Sequence, residues 1–346
     1  MTPPDHIIVP FKHWCPFRVI KLPIIGTLYK LVYQRYTRRW TKRIFKKPIR
    51  WIFEFCYRVL RLSGSGHMIL SLPNGEVGIT FDARKAHFST IYLSQYAMFG
   101  YEPDVAGVLN WLLYNKKNST FYDIGANWGF FSFYAASLKF FAGQIHVFEP
   151  IHDTFSDIES IALQTGLDNR LVLHQVALSD TAGATGMAAI DPLSSGVNRI
   201  LNGATDFLVD AVTLDELNLP QPDVMKIDVE EHEFQMLQGA MHILTTCNPH
   251  IIFENWKHID HIHSLKPLRM LESIGYTLYQ PCWYNGEWKI GFLDSDLSAR
   301  LNLSAQRLCL SRLRAEDRFL FKDHMNLVAI HNNRLQTLLD AAEVVS

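Results

Sequence analysis

The 346-residue sequence has no uncharged apolar run that reaches the ~18 residues of a membrane-spanning helix. Its opening, MTPPDHIIVPFKHWCPF, lacks the basic start and apolar stretch of a cleaved secretion signal. Five cysteines (Cys15, Cys56, Cys247, Cys282, Cys309) lie far apart with no CxxC, which fits a reducing compartment and gives no metal or disulfide framework. The expectation is an intracellular, cytoplasmic protein. HExxH and G-x-S-x-G are absent, so neither a zincin nor a serine-hydrolase elbow is indicated. GxGxxG is absent too, which argues against a nicotinamide dinucleotide. There is no internal repeat, and low complexity is confined to SGSG at 63–66.

Charge is abundant but unevenly placed. Residues 1–66 hold 14 basic against two acidic residues, a balance of +12, while the remaining 19 basic and 32 acidic residues give −13. Such a split predicts a basic arm on an acidic body. Within the arm, Tyr29, Val32, Tyr33, Tyr36, Trp40 and Ile44 fall on one helical stripe with Arg and Lys around it, and a second helix follows Pro48. Residues 28–62 thus suit the headgroup region of an anionic membrane, at its inner face, or pack on the body. A nucleic-acid partner is disfavoured because the body is acidic.

After the SGSG linker, HMILSLPNGEVGITF reads as a hairpin around Pro73-Asn74-Gly75, and 105–115 as a helix. Strands are expected at 119–124, 144–150, 171–179, 224–229 and 250–256, with helices at 129–141, 152–164, 232–246 and 267–274. This alternation predicts an α/β fold, a mostly parallel central sheet with helices on both faces. Segments 276–282, 288–294 and 325–331 are expected as antiparallel edge strands. The organisation follows: 1–66 a basic amphipathic helical extension, 67–118 a hairpin and helical lead-in, 119–331 the catalytic domain, and 332–346 a tail.

Ligands of such sheets bind beyond the carboxyl ends of the strands. There the sequence places D-I-G-A-N-W-G, where Gly125 and Gly129 permit a sharp turn and Asn127 offers a donor and an acceptor. Asp123 precedes the turn. Glu149, at the next strand end, is placed to accept hydrogen bonds from both hydroxyls of a ribose, so the ligand is read as a nucleoside. HQVALSD offers Val176 and Ala177 to an adenine ring, and KIDVEEHE gathers Asp228, Glu230, Glu231, His232 and Glu233. Acids at a helix start also serve as caps, and a lone GxxxG can be only a turn. The three histidines of KHIDHIHS (His258, His261, His263) lack a metal-binding order, since 261 and 263 share a face only on a strand, and no metal is expected.

DIGANWGFFS, HVFEP, VALSD, VTLDEL, KIDVEEHEFQMLQGA and IIFE together resemble the FkbM-type S-adenosylmethionine-dependent methyltransferases over residues ~67–331. That family usually has glycine where this chain has Glu231. The resemblance implies a Rossmann-like class I methyltransferase fold, S-adenosyl-L-methionine as cofactor, and O-methylation of a hydroxyl on a saccharide, glycolipid or small molecule. It also implies Asp123, Gly125, Ala126, Asn127 and Gly129 at the methionine end, Glu149 on the ribose, and Gln175 and Ala177 at the adenine edge. Asp228 is the first candidate to deprotonate the acceptor, followed by Glu230 and His232; Lys226 would steady a developing alkoxide. Glu254 either closes the acceptor side or pairs with a buried base. The rival readings are an RNA-ribose methyltransferase and a non-catalytic, cofactor-binding membrane scaffold.

Overall fold

The computed structural model describes residues 3–10, 15–21, 55, 65–82, 85, 87–88, 101–189, 198–200, 207–256, 261–284, 290–291, 307–321, 325–340 and 343–345. In chain order these form β1 (His6–Val9), β2 (Phe17–Lys21), β3 (Ser65–Leu72), β4 (Gly75–Asp82), α1 (Pro103–Asn115), β5 (Phe121–Ile124) and α2 (Phe130–Ser137). Next come β6 (Ile145–Phe148), α3 (His152–Thr165), β7 (Leu171–His174), β8 (Ala177–Leu178), β9 (Gly183–Ala189), β10 (Asn198–Ile200), β11 (Phe207–Val212) and β12 (Val224–Ile227). The remainder is α4 (Glu233–Gln238), α5 (Met241–Thr246), β13 (His250–Asn255), α6 (His261–Ser273), β14 (Tyr276–Tyr284), β15 (Ile290–Gly291), β16 (Arg307–Leu313), β17 (Met325–His331), α7 (Asn332–Leu339) and β18 (Glu343–Val345).

One large sheet runs β18-β1-β16-β14-β17-β13-β12-β5-β6-β7. Its β13-β12-β5-β6-β7 half is parallel throughout, as the alternating helices require. The other half is antiparallel. From β5 the chain winds one way through β6 and β7, then restarts at β12 on the opposite flank and moves to β13. The strand order therefore reverses between β5 and β12, the place where such sheets open a crevice. Strands β5, β6 and β12 are buried at every position, hence their mostly apolar spelling, broken by Asp123, His146 and Lys226.

The helices follow from their ends. Pro103 occupies the first turn of α1, where its missing N–H costs nothing. Helix α3 stops at Gly166, whose φ of 66° closes a Schellman turn: Gly166 N–H donates to Leu163 O (3.3 Å) and Leu167 N–H to Ala162 O (2.9 Å). Helix α2, FFSFYAAS, is buried on all sides, packed between the β3 hairpin and the main sheet. The Gln164 side chain receives Thr80 N–H (2.8 Å) and donates to Thr80 O (3.1 Å), so α3 covers part of the hairpin's open edge.

Several expectations are corrected. Residues 1–66 are not simply a helical extension: β1 is a strand of the main sheet and β2 pairs with β3. The SGSG segment is not wholly a linker, since Ser65 and Gly66 begin β3. Neither 276–282 nor 325–331 lies at an edge: β14 sits between β16 and β17, and β17 between β14 and β13, consistent with the nearly complete burial of 325–331. The expected tail contains α7, and β18 pairs with β1. Strand β16 escaped the sequence reading because RLCLSRL has no turn signal before it. Helix α6 runs through Pro267 rather than starting there. His261 and His263 both fall within that helix rather than on a strand. Apart from Phe55, the basic aromatic helices expected over 28–62 lie outside the described residues, as does His258. No helix among the described residues is long and apolar enough to cross a membrane.

Asp223 ties three segments together immediately before β12. Its carboxylate accepts from Lys116 Nζ (2.7 Å), Arg334 Nη2 (3.0 Å) and Thr120 N–H (3.1 Å). Burial alone would raise its pKa, but these hydrogen bonds outweigh burial and hold it below the ordinary carboxylate range. A depressed folded-state pKa stabilises the protein fully above the unfolded value, and that contribution disappears as pH falls through the folded value. Asp223→Asn is therefore expected to cost about 2 kcal/mol in urea unfolding at neutral pH. The gap from wild type should close toward about pH 3; a constant gap would contradict this assignment.

Candidate functional site

At the end of β5 the chain bends twice. Gly125 (φ 74°) and Ala126 both donate their N–H to Phe148 O at 3.0 Å, and Asp228 N–H donates to Ile124 O at 3.0 Å. A Cβ on Gly125 would lie 1.8 Å from the Asp228 carbonyl oxygen, so only glycine lets the two strand ends meet. Asn127 (φ 54°) takes the left-handed conformation that asparagine tolerates. Gly129 (φ 85°) starts α2; a side chain there would strike the Phe133 ring at 2.9 Å. Gly129 thus serves helix entry behind the crevice rather than its lining. Asp123 is likewise beneath it, fully buried, with Ser132 Oγ donating to Oδ2 at 2.6 Å.

The crevice is lined by Gly125, Ala126 and Asn127 from this loop and by Glu149 from the end of β6. Glu149 is buried, and its two oxygens accept Asn127 N–H (2.9 Å) and Ile151 N–H (3.0 Å). Each carboxylate oxygen keeps acceptor capacity beyond one amide, so a ribose diol can still be received. Val176, Ala177 and Leu178 form the apolar wall beyond it. Gln175, expected at the adenine edge, is exposed and outside the lining, because β7 ends at His174 and the chain then turns Ala177–Leu178 into pairing with β11.

Across the loop, β12 delivers Lys226, Asp228, Glu230 and His232 to the same crevice. Lys226 Nζ contacts Asp228 Oδ2 at 2.9 Å and lies 5.0 Å from the centre of the Phe131 ring. Burial would lower the lysine pKa, but the charges of Asp228, Asp123 and Glu102 dominate and hold it above its ordinary value. Lys226 is therefore a fixed cation, not a base. His232 is buried, hydrogen-bonded to Ser179 Oγ at 2.9 Å, and desolvation lowers its pKa to about 4. It stays neutral and is a poor base. Glu230 (φ 52°) and Glu231 (φ 72°) are both left-handed, a conformation usually reserved for glycine. Glu231 stands at the place where glycine is usual in the family that the sequence resembles, and the backbone keeps the glycine-like shape. Backbone in such a conformation is strained, which is frequent beside functional sites.

Sequence reasoning missed the groups supplied before β5. Tyr101 and His87 line the crevice, with Tyr101 5.2 Å from Phe130 and 6.0 Å from Phe131 between ring centres. Glu102 (φ 43°) lies close enough to Asp228 and Lys226 to feel both charges. Desolvation and then Asp228 raise its pKa. Glu254 accepts Trp256 Nε1–H at 2.8 Å; burial, then the charges of Asp228, Glu102 and Glu230, push its pKa far above the carboxylate range. Glu254 thus lies within reach of the charges of Asp228, Glu102 and Glu230. No local pattern announces His87, Tyr101 or Glu102, because the fold alone brings them beside the strand ends.

The fit to a nucleoside-bearing donor rests on two further observations. Asn127 Oδ1 is buried with no hydrogen-bond partner among the described residues, in a loop that already lines the crevice. Glu149 is itself pushed up to about 7 by burial, against the pull of the Ile151 and Asn127 amides. Only the ionised carboxylate accepts from both ribose hydroxyls. The affinity for S-adenosylmethionine is expected to be full above about pH 7 and to fall toward tenfold per pH unit below it. Glu149→Gln should weaken binding by about 1.5–3 kcal/mol and flatten that profile. Calorimetric titration across pH checks both; unchanged affinity in the variant would contradict the pose.

Residues 123–278 match the model of the methyltransferase FkbM domain. No curated protein matches the chain. Among solved structures, a methyltransferase FkbM from Methylobacillus flagellatus KT is similar at 14% identity with a TM-score of 0.36, covering 57% of this chain and 44% of that one. The match therefore spans under half of that protein's length. A putative O-methyltransferase from Klebsiella pneumoniae gives 13% identity, a TM-score of 0.35, and coverage of 62% and 81%. A SAM-dependent O-methyltransferase from Thermotoga maritima gives 10%, 0.34, and coverage of 76% and 77%. The family match falls on the segment that holds the bent loop, Glu149 and the Lys226–Asp228 pair. Residues 123–278 are a domain of the FkbM methyltransferase family, whose methyl donor is S-adenosylmethionine.

Proposed function

We propose that the protein is an S-adenosylmethionine-dependent O-methyltransferase whose acceptor is a hydroxyl of a saccharide or glycolipid. The observation that carries this reading is the shared crevice: Glu149 on one flank and the Lys226–Asp228 pair on the other face one space across the Gly125–Asn127 turn. When bound, the donor supplies an already activated methyl group on a sulfonium. The chain must then hold the nucleoside, orient the acceptor and receive a proton. Glu149 and Asn127 serve the first task. Asp228 takes the proton that the hydroxyl loses, and the fixed charge of Lys226 stabilises the negative oxygen left behind. Burial and the neighbouring acids hold the Glu254 carboxyl above the carboxylate range, which favours its protonated form beside Asp228.

A saccharide suits the lining better than a bare phenol. Tyr101, Phe130 and Phe131 offer an apolar face for a sugar ring, while Asp228 and Glu230 meet its hydroxyl edge. We further infer that the basic aromatic segment 28–62 carries the protein to an anionic membrane, where a glycolipid acceptor would be met. Flotation of the full chain with vesicles should then require anionic lipid and fail at high salt; flotation indifferent to lipid charge, or none, would contradict it.

Incubating cell extracts with methyl-labelled donor and sorting the label among glycan, lipid, RNA and small-molecule fractions tests the acceptor class. Label is expected in the glycan or glycolipid fraction, alkali-stable as a methyl ether; label in RNA would overturn the proposal. With that acceptor, Asp228→Asn should lower turnover about 10²–10⁴-fold while leaving donor affinity nearly intact. A full-rate variant would remove Asp228 from the chemistry.

A further inference from the structure

His87 belongs to none of the motifs read above, and it precedes the family domain by more than thirty residues. It is nevertheless 4% exposed and lines the crevice together with Glu149, Ile151 and Thr154. Its Nε2–H donates to Asp157 Oδ2 at 2.6 Å. Asp157 in turn is gripped by Lys85 Nζ, 2.9 Å from each carboxylate oxygen, and Lys85 also reaches Asp153 Oδ1 at 2.8 Å. His87, Asp153 and Asp157 bring ligand-type atoms within 4.8 Å of one another, the spacing of a metal site. Here the Lys85 ammonium supplies the positive charge that a metal would bring, so the cluster reads as a brace.

The brace has a direction. Asp153 and Asp157 are on α3, the helix that leaves the Glu149 loop, and β6 and α3 form the donor flank of the switch point. Lys226, Asp228 and Glu230 come from the opposite flank, after β12. The His87 ring is 4.6 Å from Phe88, which is 1% exposed and 5.7 Å from Trp128 of the bent loop. The buried imidazole is thus held to α3 by Asp157 and packs through Phe88 toward the bent loop, at the wall of the crevice that Glu149 also lines. A solvent-facing structural pair would not need a histidine at the crevice wall.

We propose that His87 is a donor-binding residue: it forms the wall over the ribose–adenine portion of S-adenosylmethionine, and Asp157 and Lys85 are the residues that position it. This rests on the donor reading of the crevice, and the test separates the two. Donor and product affinities (S-adenosylmethionine and S-adenosylhomocysteine) are measured calorimetrically on the full chain for wild type, His87→Ala, His87→Phe, Asp157→Asn and the His87→Ala/Asp157→Asn double variant.

Both ligands are expected to bind His87→Ala about tenfold more weakly. His87→Phe, which keeps the aromatic packing, should lose a similar factor with a wild-type melting midpoint. Asp157→Asn should weaken binding by about three- to tenfold, and the double variant should be no weaker than His87→Ala alone, because Asp157 acts through His87. Wild-type affinity in folded His87→Phe overturns the proposal, as do Asp157 and His87 effects that multiply. Failure of the wild-type chain to bind either ligand would instead overturn the donor reading itself.

Discussion

The close approach of Gly125 to the carbonyl of Asp228 is the constraint on which the rest of the site depends. A Cβ there would sit 1.8 Å from that oxygen, and neither strand end can retreat, because Gly125 and Ala126 both donate to Phe148 O and Asp228 donates to Ile124 O. Backbone, not side chain, therefore sets the distance between the donor loop and the first acid of the acceptor flank. The tether continues through Glu149, whose oxygens hold Asn127 and Ile151. Three strand ends become one rigid frame, the preorganisation that transfer between two bound molecules requires.

Within that frame the electrostatics are uneven by design of burial. Lys226 is held charged among Asp228, Asp123 and Glu102, whereas Glu254 is driven to keep its proton and His232 to lose its own. The candidates thus separate by environment: a fixed cation, a neutral imidazole tied to Ser179, a protonated carboxyl, and Asp228 in contact with the cation. Asp228, with Glu230 beside it in the same lining, is the group we propose to receive the proton. The left-handed Glu230 and Glu231 keep the β12 exit tightly bent beside it.

The parallel half of the sheet was legible because β5, β6, β12 and β13 are buried on both faces and spell nearly unbroken apolar runs between amphipathic helices. The bend after β5 was legible because Gly125 and Gly129 mark a sharp strand-to-helix turn, and both take positive φ. Gln175 was misplaced by reading 171–179 as one strand; the break after His174 sends Ala177 and Leu178 into a second sheet. Strands β1 and β18 were missed because their partners are hundreds of residues away in sequence, as His6 opposite Ser311 and Val345 shows. Tyr101, Glu102 and His87 were missed for the same reason. Their chemistry comes from what the fold brings beside them, and nothing local marks it.

Hydrogen exchange with and without S-adenosylmethionine tests the central claim, a donor crevice built on the β5–β6–β12 frame, most directly. The amides of 124–133 and 147–154 should exchange more slowly with donor, since their opening would require its release, while those of β1 and β16 on the far half of the sheet should not change. Protection absent from both loops, or concentrated on the antiparallel half, would contradict the account.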